Sequence, residues 1–293
     1  MSKKHIVFII NPKSGVERRK EITEGIEGHL DKEKFSYDIV NTQYPKHGTS
    51  LAKDAAHNGA YAVVAVGGDG SVNDVVQGLA GTNTLLAIIP KGSGNGMART
   101  MRIPLNTNEA IKVINKGHVT AMDVGYANGR PFISNAGVAF DALISKKFAK
   151  SEKRGLMVYS WLVTKHLWLY KERDFKITID GKEITERAFM ISVANGQQFG
   201  YNFRIAPMAV YSDGIFDLII IKKFPKILSG ALVVRAMSGT IARSPFVRHL
   251  TGKEITISNP LLKLMQTDGD AHECDNEIKF TIKKGAQRVI IPA

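Results

Sequence analysis

One cysteine, Cys274, stands among 293 residues. An intramolecular disulfide is therefore impossible and a cysteine-rich zinc site is excluded, which suits a reducing compartment. No apolar run approaches the roughly 18 residues that a spanning helix needs, so the chain reads as cytoplasmic and soluble or peripheral. The first ten residues carry Lys3 and Lys4 but too short an apolar stretch before Asn11-Pro12 for a secretion signal, and no small-residue cleavage site follows. The eight histidines are dispersed and never fall at metal-ligand spacing. Neither G-x-x-x-x-G-K-[ST] nor G-x-G-x-x-G occurs, which argues against a Walker-type triphosphatase and a standard dinucleotide fold. The absence of G-x-S-x-G argues against a Ser-His-Asp hydrolase.

What is present is an ordinary globular composition, 44% hydrophobic and 23% charged, at a length that favours two domains. Forty basic against 27 acidic residues leave a net charge of +13, so an anionic partner is expected. Nucleic acid, an anionic membrane and a nucleotide are all eligible, and nucleic acid is the weakest of them, because no reader motif or aromatic and basic strand platform accompanies the charge.

Short apolar runs at His5 to Ile10, Phe35 to Val40, Tyr61 to Val66 and Leu85 to Ile89 alternate with helical patterns at Gly15 to Leu30, Thr49 to Asn58 and Ser71 to Ala80. That alternation predicts a doubly wound α/β domain over 1–123. Beyond it, Asn128-Gly129, Asp180-Gly181 and Asn195-Gly196 predict antiparallel hairpins, because tight hairpin turns favour residues that accept positive φ. Phe175 to Ile179, Ala188 to Ala194, Ile215 to Ile221, Glu254 to Ser258 and Ile278 to Ile282 supply strands for a mostly β domain over 124–293. Helical stretches at Arg154 to Glu172 and Lys226 to Ile241 interrupt it. A return of the last residues to the first domain stays open, and a cleft between the domains is the default place for a site.

Chemistry concentrates after the apolar runs. Gly67-Gly68-Asp69-Gly70-Ser71 links the third run directly to a helical pattern, so backbone N–H groups and a helix N-terminus face the same spot: a phosphate cradle. A carboxylate there, Asp69, would repel phosphates unless a metal ion or a transferable proton lay between. Pro90-Lys91-Gly92-Ser93-Gly94-Asn95-Gly96 follows the fourth run and Asn11-Pro12-Lys13-Ser14-Gly15 the first. All three fall where open α/β sheets bind ligands.

With Asn135-Ala-Gly-Val-Ala-Phe-Asp141, Ala194-Asn-Gly196, Ile205-Ala-Pro207, Asp213-Gly214 and Asp268-Gly269-Asp270 added in order, the sequence resembles the diacylglycerol kinase catalytic family, which includes sphingosine and ceramide kinases. The resemblance implies an N-terminal α/β nucleotide domain, akin to NAD kinase and phosphofructokinase, and a C-terminal β-sandwich. It implies ATP and Mg²⁺ as cofactors, a lipid hydroxyl as acceptor, and peripheral attachment to a membrane. Carried over, Asn11, Pro12, Lys13, Ser14, Gly15, Thr42, Gly67, Gly68, Asp69, Gly70, Ser71, Val72, Asn73 and Ser93 are the ATP-binding positions. Asp213 matches a magnesium ligand, with the carbonyls of Val210 and Ile215 beside it, and Asp141 matches a lipid-headgroup contact. The last motif usually ends in a glutamate that acts as general base; here Asp270 stands there, with Asp69 and Glu273 as rivals. Gly92-Ser93-Gly94-Asn95 resembles the sphingosine and ceramide branch more closely than the bacterial one.

Lys13, Lys91 and Arg99 are placed to offset charge on transferred phosphate. An NAD kinase-like phosphotransferase and a catalytically silent lipid- or nucleotide-binding regulator are the alternatives. Between Lys146 and Arg173, the basic residues Lys146, Lys147, Lys150, Lys153, Arg154 and Lys165 mix with Phe148, Tyr159, Trp161, Trp168 and Tyr170. They read either as a membrane-docking face or as core aromatics beneath a wet lysine face. A second cationic zone runs from Lys222 to Arg248.

Overall fold

Apolar runs without polar alternation belong inside a parallel sheet covered on both faces. The structure, a computed structural model, describes residues 2–12, 16–151, 155–199 and 201–293. It divides into two units, Met1–Met122 with Gly285–Ala293, and Asp123–Lys284.

The first unit builds β1 (Lys4–Ile10), α1 (Val16–His29), β2 (Phe35–Asn41), α2 (His47–His57), β3 (Ala62–Gly67), α3 (Asp69–Leu79), β4 (Leu85–Pro90), α4 (Gly96–Thr100) and α5 (Thr107–Lys116). Its strands run parallel in the order β4-β3-β1-β2. Every residue of β3 and β4 is buried. The order reverses between β1 and β3, and such a switch point is where an open α/β sheet leaves a crevice at its carboxyl edge. There Asn11, just past β1, donates its backbone N–H to the Val66 carbonyl in β3. α5 starts on Asn106, whose side chain accepts from the N–H groups of Asn108 and Glu109, and stops at Gly117 with φ 69°. Gly78 lets α2 and α3 cross closely, since a Cβ there would run into the Thr49 carbonyl and Ala52.

The second unit is a β-sandwich with helices on one side. Its elements are β5 (Val119–Ala127, which begins in the first unit), β6 (Arg130–Phe132), β7 (Asn135–Ala139), α6 (Phe140–Ala149), α7 (Leu156–Leu167), β8 (Arg173–Ile179), β9 (Lys182–Ala194), β10 (Phe216–Lys222), α8 (Ser229–Met237), β11 (Val247–Gly252), β12 (Glu254–Ser258), β13 (Leu264–Thr267), β14 (Asp270–Glu273) and β15 (Glu277–Ile290). β9 serves both layers: Lys182–Ala188 pairs with β8, while its later residues pair with β7 on one edge and β10 on the other. Phe132, Phe175, Phe216 and Phe280 fill the space between the layers. A second apolar cluster, with Phe140, Leu162, Leu167, Phe189 and Leu232, lies under α6, α7 and α8. The last residues of β15 pair with β4 through Val289 and Leu86, inside the first unit. No helix among the described residues is long and apolar enough to cross a membrane.

Asn128-Gly129 and Asp180-Gly181 are tight turns, with φ values of 47° and 79°, and 47° and 82°. The expectation for Asn195-Gly196 is corrected. β9 ends at Ala194 and the next strand begins only at Phe216; both N–H groups of the dipeptide donate to the Ser134 carbonyl instead. Asp268-Gly269, with φ 48° and 88°, makes the third such hairpin, between β13 and β14.

Candidate active site

In the first unit the two glycine loops touch. A Cβ on Gly92 would strike the Gly68 Cα, and one on Gly67 would strike the Ser71 side chain. The loops approach this closely because those positions lack side chains, and the approach leaves main chain lining the crevice. Asn95 closes the second loop from the left-handed region, φ 52°: its Oδ1 accepts from Gly92 N at 2.9 Å and its Nδ2 donates to the Gly92 carbonyl at 2.8 Å. Asp69, the first residue of α3, accepts from the Met97 N–H at 3.1 Å, tying α3 to α4. Burial raises the Asp69 pKa, opposed by the N–H groups of Gly96, Met97 and their neighbours.

Asn11 Nδ2 lies 3.5 Å from Ser71 Oγ, and Asn73 is buried with an Oδ1 that finds no partner among the described residues. Thr42 continues β2, its N–H donating to the Ile10 carbonyl. Val72 is buried, and Gly70 and Ser93 are exposed. Pro12 is half-buried next to Asn11, while Lys13, Ser14 and Gly15 lie outside the described residues. Lys91 is held 2.9 Å from Glu21 of α1, and Arg99 is exposed with its Nε donating to the Gly94 carbonyl. Both cations are thus engaged by the protein itself.

In the second unit a polar network gathers at residues 133–135. The Asp268 carboxylate accepts from the N–H groups of Ile133, Ser134 and Asn135 at 2.8–3.0 Å. Gln266 Nε2 donates to Asn135 Oδ1 at 2.7 Å and to Asp141 Oδ2 at 2.8 Å, and its Oε1 accepts from Gly269 N at 2.7 Å. Asp141 is buried in the first turn of α6, and burial pushes its pKa to about 6 against the hydrogen bond from Gln266. Asp270 begins β14 half-buried, one residue past the hairpin, whereas Glu273 points outward, 3.8 Å from Lys146.

Asp213 is exposed and its Oδ1 accepts from Ile215 N at 2.9 Å. Its own N–H donates to the Val210 carbonyl at 3.4 Å, so one carboxylate and one main-chain carbonyl, both oxygen donors, lie close together. That pair suits a hard cation such as Mg²⁺, which takes few protein oxygens and keeps its waters. Among the described residues no three His, Cys, Asp or Glu side chains gather as a metal cluster.

Sequence reasoning misses Gln266, Asp123 and the structural part of Asp268. Asp123 is fully buried and accepts from Gly214 N at 2.6 Å, fixing the turn that carries Asp213. Of the Lys146 to Arg173 segment, Tyr159 packs edge-on to Phe148 and Tyr170 to Phe140, while Trp161, Trp168 and Leu169 are exposed. Lys153 and Arg154 lie outside the described residues.

The diacylglycerol kinase catalytic domain profile matches residues 5–127, and the YegS C-terminal NAD kinase beta sandwich-like domain profile matches residues 134–290. A diacylglycerol kinase of Staphylococcus saprophyticus is 27% identical over 274 residues, 92% of this chain and 89% of the relative. One from Staphylococcus aureus is 28% identical over 272 residues, 92% and 86%. A solved diacylglycerol kinase from Bacillus anthracis superposes with a TM-score of 0.73 over 99% of this chain and 97% of that one; at 22% identity the likeness is one of fold.

Asp141 supplies a test of the geometry. Its pKa of about 6 in the folded chain exceeds the ordinary 3.8, so folding gains from protonation. That contribution is full below about pH 4 and is lost as pH rises through 6. Urea denaturation of Asp141→Asn should lack this component, worth roughly 3 kcal/mol between pH 4 and pH 7. Identical pH dependence in the variant and the wild type would show that Asp141 is not buried as described.

Proposed function

We propose, for a chain that belongs to the family joining a diacylglycerol kinase catalytic domain to a YegS-type C-terminal β-sandwich-like domain, that it is an ATP-dependent lipid kinase. The γ-phosphate passes to a hydroxyl of a diacylglycerol, sphingoid or ceramide type of lipid. The observation that carries this reading is the contact of the Gly67-Gly68 and Gly92 loops at the β1/β3 switch point, with Asp69 bonded across them.

In this reading residues 1–123 form the nucleotide half. Main-chain N–H groups of the glycine loops bind phosphate, and a side chain at Gly68 or Gly92 would close the approach. The Asn73 Oδ1, without a partner among the described residues, and the Asn11 amide add polar contacts for the nucleotide. Residues 124–293 form the acceptor half, with Asp141 toward the lipid head. Asp213, with the carbonyls of Val210 and Ile215, would hold Mg²⁺, which supplies neutralisation of phosphate charge when bound.

Transfer needs a group that takes the acceptor's hydroxyl proton, and a carboxylate is most useful when its pKa approaches the working pH. Burial moves Asp69 in that direction, so Asp69 is assigned as the proton acceptor. Asp270 is the second candidate, because the Asp268 anchor fixes the hairpin that presents it. Asp69→Asn keeps an oxygen for Met97 N and should fold normally, while kcat falls at least about 100-fold. Asp270→Asn should then retain more than a tenth of wild-type kcat. The reverse pattern would move the proton to Asp270, and near-wild-type turnover of both variants would remove the carboxylate mechanism.

Peripheral membrane attachment belongs to the same proposal. Trp161, Trp168 and Leu169 in and after α7 are exposed, as are Ile227 and Val234 in and before α8, and both helices pack on one apolar cluster. Lys226 joins the two segments through the Tyr170 carbonyl and Glu172. Lys147 and Lys150 at the end of α6, and Lys165 and Lys171 in and after α7, are exposed. Each adds about 1 kcal/mol of attraction to an anionic bilayer. Replacing the four by Gln should weaken sedimentation with anionic vesicles and raise the apparent KM for vesicle-presented lipid, leaving turnover of a short-chain soluble lipid intact. Unchanged vesicle binding would place the docking face elsewhere.

A further inference from the structure

Next to Asp141 lies a polar side chain to which neither the motifs nor the proposed chemistry gives a role. Ser192, in the second half of β9, is fully buried, and its Oγ has no hydrogen-bond partner among the described residues. It stands directly opposite Gly137 across the β7/β9 ladder. Opposed residues of an antiparallel pair project to the same face, with Cβ positions about 4.5–5.5 Å apart. At Gly137 the place of the missing Cβ is taken by Asp141, whose Oδ2 such an atom would overlap. The Ser192 hydroxyl and the Asp141 carboxylate therefore share one face beside the same glycine, and they do not bond to each other.

Two further features mark this as a built site. Ala139, two residues before Asp141, has φ 70° and ψ −126°, a conformation that favours glycine and is strained for alanine. The strand-to-helix bend that brings Asp141 over Gly137 thus carries backbone strain. Asp141 also lacks compensation: Gln266 is a neutral donor, and no Lys, Arg or His pairs with the carboxylate among the described residues. The titratable group that acts on it from α7 is the Tyr159 phenol, which is neutral at working pH because burial and the Asp141 charge both raise its pKa. A buried carboxylate with one neutral donor, beside an unbonded hydroxyl, is a place where a ligand supplies the missing hydrogen bonds.

We propose that Ser192 is a specificity-determining contact: together with Asp141, it recognises a second hydrogen-bond donor, a hydroxyl or an ammonium, on an acceptor head distinct from the hydroxyl that is phosphorylated. Gln266 positions the carboxylate for that contact. The proposal rests on the lipid-kinase reading. It selects monoacylglycerols, sphingoid bases and ceramides, which have such a donor, over diacylglycerols, whose one free hydroxyl is the one consumed.

The test compares initial rates on short-chain monoacylglycerol, a short-chain sphingoid base and dioctanoylglycerol, for wild type, Ser192→Ala and Ser192→Thr. The expected result is a KM for the first two raised about tenfold in Ser192→Ala, the effect of one lost hydrogen bond of about 1.4 kcal/mol. The KM for ATP and that for dioctanoylglycerol stay unchanged, and Ser192→Thr restores the wild-type pattern. Thermal stability of Ser192→Ala should not fall, since no internal hydrogen bond is lost. Lowering pH from 7.5 to 5 should raise the same two KM values in wild type and not in Asp141→Asn. An effect on the amine alone selects ammonium, and an equal effect on both selects hydroxyl. Wild-type acceptor KM values in Ser192→Ala would overturn the proposal. A wild-type protein that phosphorylates no lipid would remove the lipid-kinase reading instead. Calorimetric binding of the short-chain sphingoid base and monoacylglycerol, equal for wild type and Ser192→Ala, would then overturn the contact as well.

Discussion

The Asp268 carboxylate, bonded to three consecutive N–H groups at Ile133, Ser134 and Asn135, is the interaction on which the second unit's site depends. Those N–H groups lie at the start of β7, where the chain turns out of the sheet, and without an acceptor each would be a costly buried donor. The carbonyls of the same residues are spent too: Ile133 on Asn195 Nδ2, Ser134 on Asn195 N and Gly196 N, Asn135 on Asp268 N. One short segment therefore fixes the β13/β14 hairpin, the chain after β9 and, through Gln266, the Asp141 carboxylate. A network that takes up every main-chain N–H and carbonyl of residues 133–135 specifies one arrangement where apolar packing alone tolerates slippage. Asp270 and Asp141 owe their places to it, although neither makes the central contact.

The first unit reaches its site by the opposite route, through missing side chains rather than added bonds. Gly68 and Gly92 meet Cα to backbone, and Asn95 accepts a left-handed conformation to close the loop. Asp69 then does two things at once. Its bond to Met97 N holds α4 against α3, and the burial that this requires moves its pKa upward, toward the range where a carboxylate works as a base.

How far the sequence discloses this depends on whether a feature is local. β3 and β4 are legible as uninterrupted apolar runs, because a strand buried on both faces needs no alternation. Asn128-Gly129 and Asp180-Gly181 are legible because positive φ is a local demand. Asn195-Gly196 misleads because its amide and N–H groups go to Asp123, Ile133 and Ser134, far away in sequence. β11 is hidden by charge: Arg248 and His249 look like loop residues until Asp217 appears on the adjacent β10 and Glu186 on β9 beyond it. α6 has no starting signal, since Ala139 offers no capping side chain. The glycine loops and the motif carboxylates are visible in order along the chain. Ser192 and Gln266 are not, because their meaning comes only from which strand lies beside which.

The most direct measurement of the central claim is transfer of label from γ-labelled ATP, with Mg²⁺, in mixed micelles containing in turn diacylglycerol, monoacylglycerol, sphingoid base, ceramide and a polyprenol. NAD in aqueous solution serves as the competing acceptor. Label is expected in an organic-extractable lipid phosphate for at least one lipid and none in a phosphorylated NAD. Label in NAD, or ATP binding with no lipid labelled, would contradict the claim.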